Sequence, residues 1–291
     1  MNMWFLYALL FAAITAITIF LAKKIMQETG EYLYLFISNL FALPFLFILI
    51  LTFYQIPKVD NTFWINTLIA MLLGVIGGIL AYKAIRIEDI SLVSPIAAFN
   101  PVFTALIALI FLNETIIPRG WLGIALICAG AYLLEISKSK EGIFKPLSAL
   151  FTNRGVQLSF IAYFLWAITP IFQKTAIFHT YPQVPPYTSF IGMIGSVVLL
   201  SAICKNSLSK AVKFTKKYLA LFLLLGILGG IGQAAAMLAF ASANLGFATA
   251  VFKLSIIFIV IVGWIFLKEK NIKDRLIGSS VMLGGVLLLV T

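Results

Sequence analysis

A chain of 291 residues that is 62% hydrophobic and only 11% charged, with a mean hydropathy of +1.09, does not match a water-soluble domain. Such domains average about 45–50% apolar and about 25% charged residues, whereas a bilayer accepts helices of roughly 20 apolar residues across about 30 Å of hydrocarbon. The net charge of +11 does not point to nucleic acid either, because the basic residues lie in short links between apolar runs rather than clustered on one folded face.

The first 22 residues carry no charge, so they lack the basic start of a cleaved export signal and are expected to remain as the first membrane helix. Further uncharged runs follow at 32–57, 61–82, 90–113, 120–134, 155–173, 181–204, 218–252 and 276–291. The run at 218–252 is too long for one helix; Ala243-Asn244-Leu245-Gly246 divides it, and a ninth helix is expected over about residues 247–267. The expectation is therefore an all-α polytopic membrane protein of ten transmembrane helices.

The two halves repeat. Leu72-Leu73-Gly74-Val75-Ile76-Gly77-Gly78-Ile79 returns as Leu224-Leu225-Gly226-Ile227-Leu228-Gly229-Gly230-Ile231. Phe111-Leu112-Asn113-Glu114 returns as Phe266-Leu267-Lys268-Glu269, and Ala13-Ile14-Thr15 as Ala167-Ile168-Thr169, all at an offset near 152–155 residues. A common offset in a common order is the signal of an internal repeat. The division expected is a five-helix repeat over 1–137, a basic linker over 138–154 and a second five-helix repeat over 155–291. Five is odd, so the second repeat enters the membrane inverted, the arrangement of secondary transporters with a midplane site. Seventeen of the 21 basic residues fall on one set of alternate links, against Lys58, Arg119 and Lys174 on the other. The basic side is expected to be cytoplasmic in an inner or plasma membrane, with both termini facing outward.

These residues resemble the drug/metabolite transporter superfamily, EamA type, over essentially the whole chain. The resemblance is carried by Ser94-Pro95, Asn100-Pro101-Val102-Phe103, Phe111-Leu112-Asn113-Glu114 and Gly120-Trp121-Leu122-Gly123 in the first half. Trp166-Ala167-Ile168-Thr169-Pro170, Phe266-Leu267-Lys268-Glu269-Lys270 and Ile277-Gly278 carry it in the second. It implies ten helices, two inverted halves and transport of small solutes such as amino acids. Two features depart from it: Ile256 stands opposite Pro101, and the basic-residue count puts the termini outside where many members are thought to keep them in the cytoplasm.

Lys253 is the most informative candidate, because a charge in the middle of a membrane helix costs roughly 2.5–3.5 kcal/mol on insertion scales. Ser255, two residues on, points to a different face, which argues against a Ser–Lys catalytic dyad. A cavity lysine would hold a carboxylate or phosphate or titrate during coupling; the alternative is a lysine that snorkels to the interface. Gln173 and Gln233 are uncharged polar groups at membrane depth that bind substrate or bond across helices. Asn100-Pro101 and Thr169-Pro170 interrupt helical hydrogen bonding, either at a site or as structural kinks. Trp166, Tyr163 and Tyr82 line a cavity or face the interfacial belt. Lys174 is expected to snorkel, and Glu114 and Glu269 to pair with Arg119, Lys268 or Lys270. His179 reads as solvated, Cys128 and Cys204 as packing residues, and Gly74, Gly78, Gly226 and Gly230 as close-packing positions.

The sequence holds no Walker motif, Ser/His/Asp set or metal-ligand cluster, so the expected protein is not an enzyme and needs no cofactor. The function expected is export of small metabolites by alternating access through a central cavity lined by the first, third, fourth, sixth, eighth and ninth helices. The alternative is a lipid-handling flippase of the same architecture or another, non-transport membrane protein. The partners expected are a small-molecule substrate, the lipid bilayer, a coupling ion and a second copy of the chain as a homodimer, with no nucleic acid.

Overall fold

The computed structural model describes residues 2–88, 90–136, 144–267 and 273–290. Fourteen helices appear among them. The first half contains α1 (Met3–Thr29), α2 (Glu31–Phe53), α3 (Asn61–Ile87), α4 (Ile90–Val93), α5 (Asn100–Phe111) and α6 (Pro118–Ile136). α7 (Lys145–Ala149) lies within the linker. The second half contains α8 (Arg154–Phe178), α9 (Pro185–Ile203), α10 (Leu208–Lys217), α11 (Leu219–Ser242), α12 (Leu245–Phe252), α13 (Ser255–Leu267) and α14 (Lys273–Val290). Eight stretches are long and apolar enough to span a bilayer, and the shorter apolar helices Leu245–Ile261 and Ile277–Val290 complete the set of ten. Exposed side chains such as Ile48, Ile65, Ile110, Val198 and Leu287 project outward from these helices, which water would penalise and lipid does not.

The helix starts follow the capping chemistry of the sequence. Asp60, Asn153 and Asn244 accept hydrogen bonds from the backbone N–H groups of Phe63, Val156 and Gly246 at the first turns of α3, α8 and α12, satisfying donors that would otherwise be orphaned. α10 is amphipathic, with Ala211 buried and Lys210, Lys213 and Lys216 exposed. It joins α9 to α11 as a helix suited to a membrane surface.

The two halves interlock rather than sit side by side. α3 packs on α8 and α1 on α11; α2 packs on α9, α5 on α12, and α6 on α14. Exchanging each segment for its repeat partner reproduces the same pairings, so the two inverted repeats meet about a pseudo-twofold axis. The α6–α14 crossing carries this symmetry down to single glycines. A Cβ on Gly130 would lie 2.5 Å from the Gly278 carbonyl oxygen, and one on Gly285 would lie 2.6 Å from that of Gly123. Gly123 and Gly278 are repeat equivalents, as are Gly130 and Gly285, so each glycine meets the counterpart of the other. Spacing of seven residues, two helical turns, keeps each pair on one face.

The fourth and ninth segments are both broken at equivalent depth. Between α4 and α5 the chain winds as a 3-10 helix over Ser94–Phe99. Between α12 and α13, Lys253 and Leu254 leave the α-helix, their N–H groups reaching back three residues to Ala250 and Val251. The expectation of a continuous ninth helix through Lys253 is thus corrected. The repeat supplies the reason, since Lys253-Leu254 aligns with the 3-10 stretch that ends at Phe99.

Contacts between links sort the helix ends into two rims. On the basic rim, Lys217 Nζ lies 2.6 Å from Glu28 Oε2, the Tyr218 hydroxyl donates to Glu28, and Asn153 donates to Glu88. On the opposite rim, β1 (Lys58–Val59) pairs antiparallel with β2 (Thr180–Tyr181). His179 Nδ1, expected to be merely solvated, lies 2.7 Å from Asp60 Oδ2. The Phe63 backbone N–H and then the His179 ring hold the Asp60 carboxyl below the ordinary carboxylate range.

Candidate functional site

A cavity of about 560 Å³ opens between the halves, lined by α1, α2, α3, α8, α9 and α11. Its walls extend to Ala22, Tyr34, Ile85 and Leu200 near the basic rim. At the other end it stops at Thr67, Gln173, Thr188 and Gln233, short of the opposite rim. The second and seventh membrane helices therefore line it, where the fourth and ninth had been expected.

Glycine makes the room. Gly74 lines the cavity, and a Cβ there would meet nothing within 4 Å, whereas its repeat equivalent Gly226 packs so closely on α2 that a Cβ would lie 2.5 Å from the Phe41 carbonyl oxygen. One turn of near-identical sequence thus opens a wall in one half and closes a helix contact in the other. Trp166 is seated by the same stretch: its indole N–H donates to the Gly74 carbonyl at 3.2 Å, and Gly77 leaves space for the ring, since a Cβ would lie 2.7 Å from Nε1.

Five of the sequence-derived candidates meet here: Tyr82, Trp166, Thr169, Gln173 and Gln233 all line the cavity. The Thr169 hydroxyl is committed to the Leu165 carbonyl at 2.9 Å, and Pro170 offers no N–H to the Trp166 carbonyl one turn back. The other three lie behind the wall. Asn100 is buried and donates to the Tyr163 carbonyl at 2.8 Å. Ser255 is buried at the start of α13. Lys253 Nζ sits 5.7 Å from the centroid of the Tyr163 ring, whose residue lines the cavity. The aromatic face attracts the ammonium, and Lys253 itself is not part of the lining. Glu135, at the end of α6, lies within electrostatic reach of Lys253 and accepts from the Ser94 hydroxyl at 2.7 Å.

Sequence reasoning missed Asn39, Thr67 and Thr188, which also line the cavity. Thr67 is 4% exposed and Thr188 2%, and neither hydroxyl has a hydrogen-bond partner. Threonine is common in membrane helices and usually bonds its own helix, so neither stood out.

The expected pairing of Glu114 is corrected. Its carboxylate lies 2.6 Å from Lys174 Nζ and accepts the Leu245 N–H at 2.8 Å, while Lys174 also donates to the Ala243 carbonyl at 2.6 Å. Asn113, with φ of 53°, turns the chain so that Glu114 faces inward, and the negative end meets the positive N-terminus of α12. Lys174 is therefore a rim tie rather than a snorkelling residue. Glu269, Lys268 and Lys270 lie outside the residues whose side chains are described. The remaining thiols match expectation: Cys128 and Cys204 are both buried and free.

The family model described as "EamA-like transporter family" matches this chain twice, over residues 2–136 and 153–291. A curated relative, uncharacterized protein MJ1333.1 of Methanocaldococcus jannaschii, is 29% identical over 129 residues, which is 44% of this chain and 93% of that protein. A solved crystal structure superposes with a TM-score of 0.75 over 99% of this chain and 96% of its own, at 12% identity, a likeness of fold. With both five-helix halves matched by the model, the chain is a multi-pass membrane protein that belongs to the EamA-like transporter family.

Proposed function

We propose that the protein is a secondary transporter that exports small metabolites by alternating access, rather than an enzyme. The observation that carries this reading is the cavity itself: it lies between the two repeats, leads to the basic rim, and ends blind beneath the Glu114–Lys174 tie and the β1–β2 ribbon. Basic links belong on the cytoplasmic side of a cell membrane, so the state described faces the cytoplasm. Its volume falls in the range of small-molecule sites. The exchange of halves about a twofold axis supplies a second state in which the opposite rim opens. The sequence has no nucleotide-binding motif, so the energy comes from an ion gradient or from the solute's own gradient. The paired breaks at Ser94–Phe99 and Lys253-Leu254 give each half a joint about which to bend.

The test is solute exchange in proteoliposomes. Vesicles preloaded with unlabelled metabolite are expected to take up the radiolabelled form faster than protein-free vesicles, for at least one member of a panel of neutral, anionic and cationic metabolites. Uptake equal to protein-free vesicles across the whole panel contradicts the reading.

A further inference from the structure

The described lining of the cavity is polar without being charged. Among the described residues, no acidic or basic side chain and no histidine lines it. Lys253 lies against the Tyr163 ring and is not part of the lining, and Lys174 is engaged by Glu114 and the Ala243 carbonyl. What the lining does present is a set of carboxamides, Asn39, Gln173 and Gln233. Along the cavity stand aromatic and hydrocarbon walls, including Tyr34, Tyr82, Trp166 and Met71.

We propose that this site selects an uncharged organic solute with a flat or apolar body and an edge that both donates and accepts hydrogen bonds. A carboxamide or a lactam-type heterocycle bearing hydroxyls has that chemistry. The assignment rests on the transport reading above and narrows it. A carboxamide offers a donor and an acceptor side by side, which complements an amide or heterocycle edge and does not neutralise a formal charge. The described lining offers no countercharge, and a charge that gives up water without one is costly, so anions and cations are disfavoured by the same lining that holds a neutral edge. The aromatic side chains supply the stacking face. The carboxamides are the strongest element of the argument: three of them line one cavity that holds no formal charge among the described residues.

The test uses matched neutral and charged probes, uridine against uridine monophosphate and nicotinamide against nicotinate, with the thermal stability of the purified full chain as readout. At least one neutral member is expected to raise the melting temperature of the wild type while its charged partner does not. Asn39→Leu and Gln233→Leu are each expected to weaken that binding about tenfold, the equivalent of one hydrogen bond. The ligand-free melting temperature of each is expected to be unchanged or raised, because the substitution replaces a polar group of the cavity wall by an apolar one of similar size. A ligand-free melting temperature that falls in both variants makes the carboxamides structural and overturns the assignment. So does tighter binding of the charged probes, equal binding by both variants and wild type, or stabilisation by neither neutral probe. Exchange of an anionic metabolite in proteoliposomes by a protein that ignores every neutral probe keeps the transport reading and removes this one.

Discussion

Gly130→Val is expected to abolish the folded membrane protein, leaving little monodisperse material after extraction, whereas Gly74→Ala is expected to extract and melt like the wild type. The contrast follows from what a Cβ would meet. At Gly130 it would lie 2.5 Å from the Gly278 carbonyl oxygen and 2.8 Å from the Met282 nitrogen, both backbone, so no side-chain rotation relieves the clash. α6 and α14 would have to separate along a crossing whose other glycine pair, Gly123 and Gly285, is as tight. Ordinary overpacking costs about 1–3 kcal/mol; a clash against backbone on both sides of a symmetric crossing should exceed that range. At Gly74 there is open cavity, so the added methyl is accommodated, and its effect appears in substrate handling. Size-exclusion profiles and melting curves of the two variants beside wild type check both halves of the statement. Equal folding of Gly130→Val and Gly74→Ala contradicts the close α6–α14 contact.

Removing one partner of the Glu114–Lys174 tie carries the second large effect. Lys174→Met leaves the Glu114 carboxylate without its countercharge at a position where both side chains are 12% exposed, and uncompensated charges of this kind cost about 3–5 kcal/mol. The double variant Lys174→Met/Glu114→Leu should recover a large part of that loss, because it removes the stranded charge as well. It should not recover function in full: the pair holds the chain after α5, the C-terminal end of α8 and the α11–α12 turn at one point, and without it the blind end of the cavity is less firmly shut. Melting temperatures of the single and double variants check the energetic half of the prediction. A single variant as stable as wild type would mean that the tie contributes nothing.

Much of the fold is legible in the sequence because the bilayer writes it plainly. Uncharged runs of spanning length, charges at their ends and a constant repeat offset give ten helices and two halves without knowledge of any contact. The break at Ala243-Asn244 was readable from turn chemistry, and the asparagine cap at Asn244 bears it out. The site was only half legible. Gly74 and Gly226 sit in nearly the same octapeptide, yet one faces the cavity and the other faces Phe41, a difference set by neighbouring helices and not by local sequence. Lys253 drew attention as a charge at depth, but the break in its helix seats it against Tyr163, one layer behind the wall. Lys174 and Glu114 are 60 residues apart and on different helices, so no local pattern could pair them. Thr67 and Thr188 are ordinary residues for a membrane helix; what marks them is the missing partner, which only the packed structure reveals.

The central claim, that the cavity between the repeats is the solute route and is open toward the basic rim, is tested most directly by a single thiol in its wall. Ser196 lines the cavity on α9. Ser196→Cys in a background lacking Cys128 and Cys204, reconstituted in proteoliposomes and treated with a membrane-impermeant maleimide from one side at a time, reports both access and consequence. The account predicts labelling from the side of the basic links, slower labelling from the other, and solute exchange that stops once the thiol is modified. Exchange that continues at the unmodified rate after complete labelling would contradict it.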